Sequence, residues 1–126
     1  MSYPDPGDLD RVQQNINRYP YILTAVWADI AKLLQGDCKD YVLGKLRALL
    51  DLDWPIETLK VGIVQVEPEN RVPNQTHAVL LVQDEHILDQ RQPTVCSITE
   101  LQRIGYEPIE IQHEGGSRHF DTWTWA

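Results

Sequence analysis

Around Pro55 the spacing of apolar residues changes period, and that change limits what the chain can fold into. Before it, apolar side chains recur at helical intervals: Leu9, Val12 and Ile16, then Ile22, Leu23, Val26, Trp27, Ile30, Leu33 and Leu34, then Val42, Leu46, Leu49 and Leu50. Such spacing lines one face of a helix. After it the period is two. Val61 and Ile63 alternate with Gly62 and Val64, and His77-Ala78-Val79-Leu80-Leu81-Val82 is apolar on both faces. That second run reads as a central strand. Helices first and an antiparallel sheet after them predict an α+β fold, with N-terminal helices packed on a small sheet.

Punctuation residues sharpen the boundaries. Residues 1–8 are turn-rich and acidic, and read as a flexible arm ahead of a single domain over residues 9–126. Asp8 is placed to cap a first helix over about 9–18, which Tyr19-Pro20 breaks. Gly36 suits the end of a second helix. Asp37 suits the start of a third, with Asp40 at its third position. That helix carries Cys38, Val42, Leu46, Leu49 and Leu50 on one face and stops before Pro55. Further strands are expected at His86–Asp89, Pro108–Gln112 and, as an edge, Phe120–Trp125. Ser97-Ile98-Thr99-Glu100 is a capping box that opens a short helix.

The net charge of −8 argues against nucleic acid and anionic membrane, which call for Lys and Arg. A protein, peptide or small molecule suits it better. No window approaches the ~18 continuous apolar residues of a membrane span. The acidic start lacks the basic and apolar segments of a signal peptide, so the chain as written reads as cytoplasmic. Removal of a leader would leave the same sequence in the periplasm. The oligomeric state is open.

Cys38 has the strongest chemical setting. The free N–H groups and positive dipole end of a helix start favour thiolate, the attacking form of cysteine. The flanking Asp37 and Asp40 oppose that, and a histidine partner would restore it. This environment favours a free thiol over a bridge to Cys96, the only other cysteine.

His77, where a strand leaves a loop, is the candidate base. Asp89 is the candidate third member, on a geometric argument. If strands 77–82 and 86–90 form a hairpin with a three-residue loop, paired positions sum to 168. Leu81 then faces Ile87, Val79 faces Asp89, and Asp89 is a diagonal neighbour of His77 on one face. Diagonal neighbours are ~7–8 Å apart at the backbone, within reach of a His–Asp hydrogen bond. A loop of even length would put the two on opposite faces.

His86, His113 and His119 show no metal-ligand spacing to another His or Cys, so no zinc site is expected. Trp27 is core or a wall of the site. Trp123 and Trp125 share a strand face that either covers core or forms an adhesive edge.

The run Gly36-Asp37-Cys38-Lys39-Asp40-Tyr41 with Lys45, the strand start His77-Ala78-Val79-Leu80, and Leu88-Asp89-Gln90 resemble, in that order, the bacterial transglutaminase-like cysteine proteinase family. The likeness spans about residues 27–112. It implies a papain/transglutaminase-like core and a Cys38–His77–Asp89 triad cleaving an amide through a thioester, on a protein or peptide substrate. Hydrolysis and acyl transfer both remain open. In adhesin-releasing periplasmic relatives, acidic residues around the cysteine bind calcium. Asp37 and Asp40 match that feature, while Lys39 stands where an acidic residue is usual. The chemistry itself requires no cofactor. A catalytically silent protein-binding module on the same fold is the alternative.

Overall fold

The computed structural model describes residues 5, 7–17, 38–66 and 76–125, and of residues 38–40 the backbone alone. Helix α1 spans Gly7–Asn17, and α2 spans Cys38–Asp51. A short 3-10 turn at Ile56–Thr58 leads into strand β1, Leu59–Gln65. Strands β2 (Thr76–Val82), β3 (His86–Leu88) and β4 (Cys96–Ser97) follow. Then come helix α3 (Ile98–Arg103) and strands β5 (Glu107–Gln112) and β6 (Phe120–Thr122). The six strands form one antiparallel sheet in the order β4-β3-β2-β1-β5-β6. The expected helix over residues 22–34, the Asp37 cap and Trp27 lie outside the described residues.

The α+β architecture is as expected, and so is the inner position of β2, which is buried from His77 through Val82. Alternation along the strands divides the apolar side chains between two clusters. Leu59, Val61, Ala78, Leu80, Val82 and Leu88 face α1 and α2, where they meet Leu9, Val12, Ile16, Tyr41, Val42 and Leu49. Val64, Val79, Leu81 and Ile87 face the other way, against Cys96, Leu101, Tyr106 and Trp123. At ~25 cal/mol per Å² of apolar surface removed from water, the two clusters are the main source of stability.

Both C-terminal tryptophans cover core. Trp123 lies over Gly62, where a Cβ would come within 2.5 Å of its indole ring. Trp125 packs edge-on against it, with ring centroids 5.3 Å apart. The expected edge strand is three residues long, although the Trp123 N–H still donates to the Ile109 carbonyl of β5 at 3.0 Å, and both indoles cap this cluster.

The start of α1 and its cap differ from expectation. Helix α1 starts at Gly7, so residues 7 and 8 belong to it rather than to an arm. Asp8 is not its cap. Asp5 takes that part, accepting from the Gly7 N–H at 2.9 Å on its carboxylate and from the Asp8 N–H at 2.9 Å on its carbonyl. Asp8 instead lies in the first turn and accepts the Trp54 indole N–H at 3.1 Å, which ties the end of α2 to the start of α1. The capping box of α3 forms as read: Ser97 Oγ accepts from the Glu100 N–H at 3.1 Å, and the Glu100 carboxylate accepts from the Ser97 N–H at 3.3 Å.

Candidate active site

The β2–β3 hairpin carries the site. Its register pairs Leu80 with Leu88, Leu81 with Ile87 and Val82 with His86, and each pair sums to 168. The three-residue loop turns through Gln83 and Asp84, both at positive φ (55° and 57°). Asp89 directly follows β3, on the face that also holds His77. Its Oδ1 is hydrogen-bonded to His77 Nε2. The pair is buried, with side-chain exposures of 6% for His77 and 0% for Asp89.

A buried carboxylate needs its lone pairs filled. Oδ1 of Asp89 also accepts the Arg91 N–H at 2.9 Å, and Oδ2 accepts the Tyr106 hydroxyl at 2.8 Å. Burial raises the carboxyl pKa. The hydrogen bond and charge of His77, with the Arg91 and Tyr106 donors, outweigh that and hold Asp89 below the usual carboxylate range. The Tyr106 phenol is pushed far up by burial and by the Asp89 charge, so it remains a donor. Its ring stands edge-on to His77, with centroids 6.5 Å apart.

A second layer fixes the backbone of this loop. Gln13 of α1 donates through Nε2 to the carbonyls of Asp89 and Gln92, both at 2.8 Å. Asn17, one turn on, donates to the Gln92 carbonyl at 3.1 Å. Lys45 Nζ of α2 donates to Gln13 Oε1 at 2.6 Å. Lys45 is fully buried. Desolvation lowers its pKa to about 7, against an opposing pull from the Asp89 charge.

Tyr106, Gln13 and Lys45 join this centre without a place among the candidate site residues of the sequence. For two of them a signal was present. Gln13 falls on the Leu9–Val12–Ile16 stripe, and Lys45 falls on the Cys38–Val42–Leu49 stripe. A polar residue at a core position of an amphipathic helix calls for a buried partner. Tyr106 had no such signal, because its contact depends on how the chain returns after α3.

Cys38 is the first residue of α2, as its expected place at a helix start requires. Its side chain lies outside the described residues. The body of α2 packs on the Ala78–Leu80–Val82 face of β2, while His77 alternates to the other face near the start of that strand. Cys96 is a free thiol, buried in the second cluster. Burial and the Glu100 and Asp89 charges raise its pKa, so it is a poor nucleophile.

The family model for bacterial transglutaminase-like cysteine proteinases (BTLCP) matches residues 9–124. The chain belongs to this family. It is a transglutaminase-like cysteine peptidase, and the fold agrees. The calcium-bound structure of Legionella pneumophila LapG superposes with a TM-score of 0.71 at 17% identity, covering 94% of this chain and 74% of that one. An EGTA-treated LapG structure gives 0.73 at 18% identity, covering 94% and 67%. A further LapG structure gives 0.72 at 18%, covering 91% and 67%. Comparison with curated proteins gives no match. Among the described residues, no helix is long and apolar enough to cross a membrane.

The remaining histidines also acquire places. His86 opens β3, 37% exposed at its side chain. His113 and His119 gave no metal pattern along the chain. Pairing of β5 with β6 brings them together around Asp121, a grouping that six residues of separation conceals.

Proposed function

We propose that Cys38, His77 and Asp89 form a Cys-His-Asp triad that cleaves an amide in a protein or peptide through a thioester. The buried His77–Asp89 hydrogen bond supports this reading most directly. With Nε2 facing the carboxylate, the ring is held in one orientation and its charged form is stabilised. Nδ1 then takes the Cys38 thiol proton and later delivers it to the leaving amine. Sulfur attacks the carbonyl carbon, and free N–H groups at the start of α2 receive the oxyanion. The amine leaves, the thioester remains, and water attacks it to release the acid and regenerate the thiol. An amine in place of water would give transfer; with water as the acceptor the reaction is hydrolysis. The mechanism requires the first residue of α2 to meet His77 at the start of β2.

Cys96 provides an internal control. Iodoacetamide near neutral pH is expected to label Cys38 much faster than Cys96, whose thiol is buried and hard to ionise. Cys38→Ala is expected to abolish peptidase activity and leave the fold intact. Full activity in that variant would overturn the triad. Slow, equal labelling of both thiols would favour a catalytically silent binding module.

The LapG structures described as calcium-bound and EGTA-treated raise the question of calcium here. Calcium takes six to eight oxygen ligands, and Asp37 and Asp40 would supply part of such a set beside the opposing charge of Lys39. In this reading calcium is not needed for the chemistry. Activity is expected to persist in EGTA, and its complete loss there, restored by calcium, would make the ion essential.

A further inference from the structure

The hairpin formed by β5 and β6 gathers two imidazoles and a carboxylate with no part in the triad. Gln112 pairs with Phe120 and Ile111 with Asp121, which places His113 opposite His119 and diagonal to Asp121. His113 Nδ1 lies 2.8 Å from Asp121 Oδ2, and His119 Nε2 lies 2.9 Å from Asp121 Oδ1. The three ligand atoms fall within 4.8 Å of one another.

The hairpin is held in shape by its own bonds. The His113 N–H donates to the His119 carbonyl at 2.8 Å, and the His119 N–H donates to Ser117 Oγ at 3.0 Å. Gln112 Nε2 donates to the Ser117 carbonyl at 2.8 Å. The tip is seated on the 3-10 turn, so close that a Cβ on Gly115 would come within 1.8 Å of the Ile56 carbonyl oxygen.

We propose that His113, His119 and Asp121 form a binding site for a late first-row divalent cation, with zinc as the probe. Two imidazole nitrogens and one carboxylate oxygen suit zinc, nickel or copper and leave coordination positions for water. They do not suit calcium, which takes oxygen ligands. Tetrahedral zinc at ~2.0–2.1 Å from each ligand sets ligand atoms about 3.3 Å apart. The two N···O contacts therefore open by about half an ångström. On binding, each ring proton that faces Asp121 moves to the other nitrogen of its ring. The freed lone pairs and the carboxylate turn to the ion. Two neutral imidazoles and one carboxylate give the site a net charge of about −1, within a chain of net charge −8.

The test is calorimetric titration of zinc into tag-free protein, with both thiols alkylated and calcium in excess. One zinc equivalent is expected to bind. His119→Gln and Asp121→Asn are each expected to raise Kd by about tenfold or more. Copper-loaded protein should show nitrogen coupling from two imidazoles by electron paramagnetic resonance, and from one in His119→Gln. Unchanged zinc affinity in both variants, or no binding up to millimolar zinc, would overturn the site. Both variants are expected to retain peptidase activity before alkylation, so this outcome is independent of the triad.

Discussion

His77 and Asp89 meet inside the sheet, 6% and 0% exposed at their side chains, whereas His113 and His119 meet Asp121 on the outer hairpin, 64%, 69% and 45% exposed. The partners are the same chemical groups. What differs is the number of neighbours that must agree. Asp89 is held through its carboxylate by His77, Arg91 and Tyr106 and through its carbonyl by Gln13, so each donor depends on the others. Asp121 is bounded by two imidazoles and water. A low dielectric strengthens the inner pairing and makes a missing partner costly. Solvent screens the outer one and leaves its groups available to an ion.

The largest expected effect comes from breaking the inner pairing. Asp89→Asn keeps the shape but turns an acceptor of several N–H and O–H groups into an amide. It is expected to lower kcat/KM on the order of 100-fold or more and to cost about 3 kcal/mol in urea unfolding. Its pH profile carries a sign. The Asp89 pKa is lower folded than unfolded, so its contribution is fully present above the unfolded value of ~3.9 and is lost as pH falls through the folded value. Below that range, wild type and Asp89→Asn should converge.

Lys45 comes next, with a trend on the alkaline side. Its pKa of about 7 lies below that of an unfolded lysine, so between the two values the unfolded chain binds the extra proton. Stability should therefore rise from pH 7 to pH 9, by about 1 kcal/mol per unit from this group. Lys45→Met should remove that rise. Parallel curves for the two proteins in urea melts at pH 7 and 9 would sink the assignment.

Tyr106→Phe removes one donor to Asp89. It is expected to cost about 1–2 kcal/mol and to lower kcat several-fold with little change in KM. At the outer site, Asp121→Asn is expected to leave Tm and peptidase activity unchanged without metal, and a large loss of either would show the hairpin to be part of the inner machinery.

The parts of the centre that were legible in the sequence are local ones. His77 could be tied to Asp89 because a three-residue loop fixes which residues of a hairpin face each other, and Ser97 to Glu100 because a capping box lies within one turn. Tyr106 reaches Asp89 only after the chain has passed through β4 and α3. His113 and His119 depend on a hairpin whose register a longer turn leaves open. Gln13 and Lys45 were visible as polar residues on apolar stripes, but nothing local says what they hold.

The Gln13 bond to the Asp89 carbonyl joins residues 76 apart in the chain. Contacts at that separation carry a high loop-closure cost and tend to form late. The β2–β3 hairpin can pair as soon as its two strands exist, yet the loop bearing the carboxylate gains this anchor only when the first helix docks. Transient undocking of α1 would loosen residues 89–92 and leave the hairpin paired. Amide exchange would register that as matched protection factors for α1 and the 89–92 loop, below those of β2. Activity would then follow the docked fraction of α1, giving the amino-terminal helix the leverage of a brake on a centre it never touches chemically.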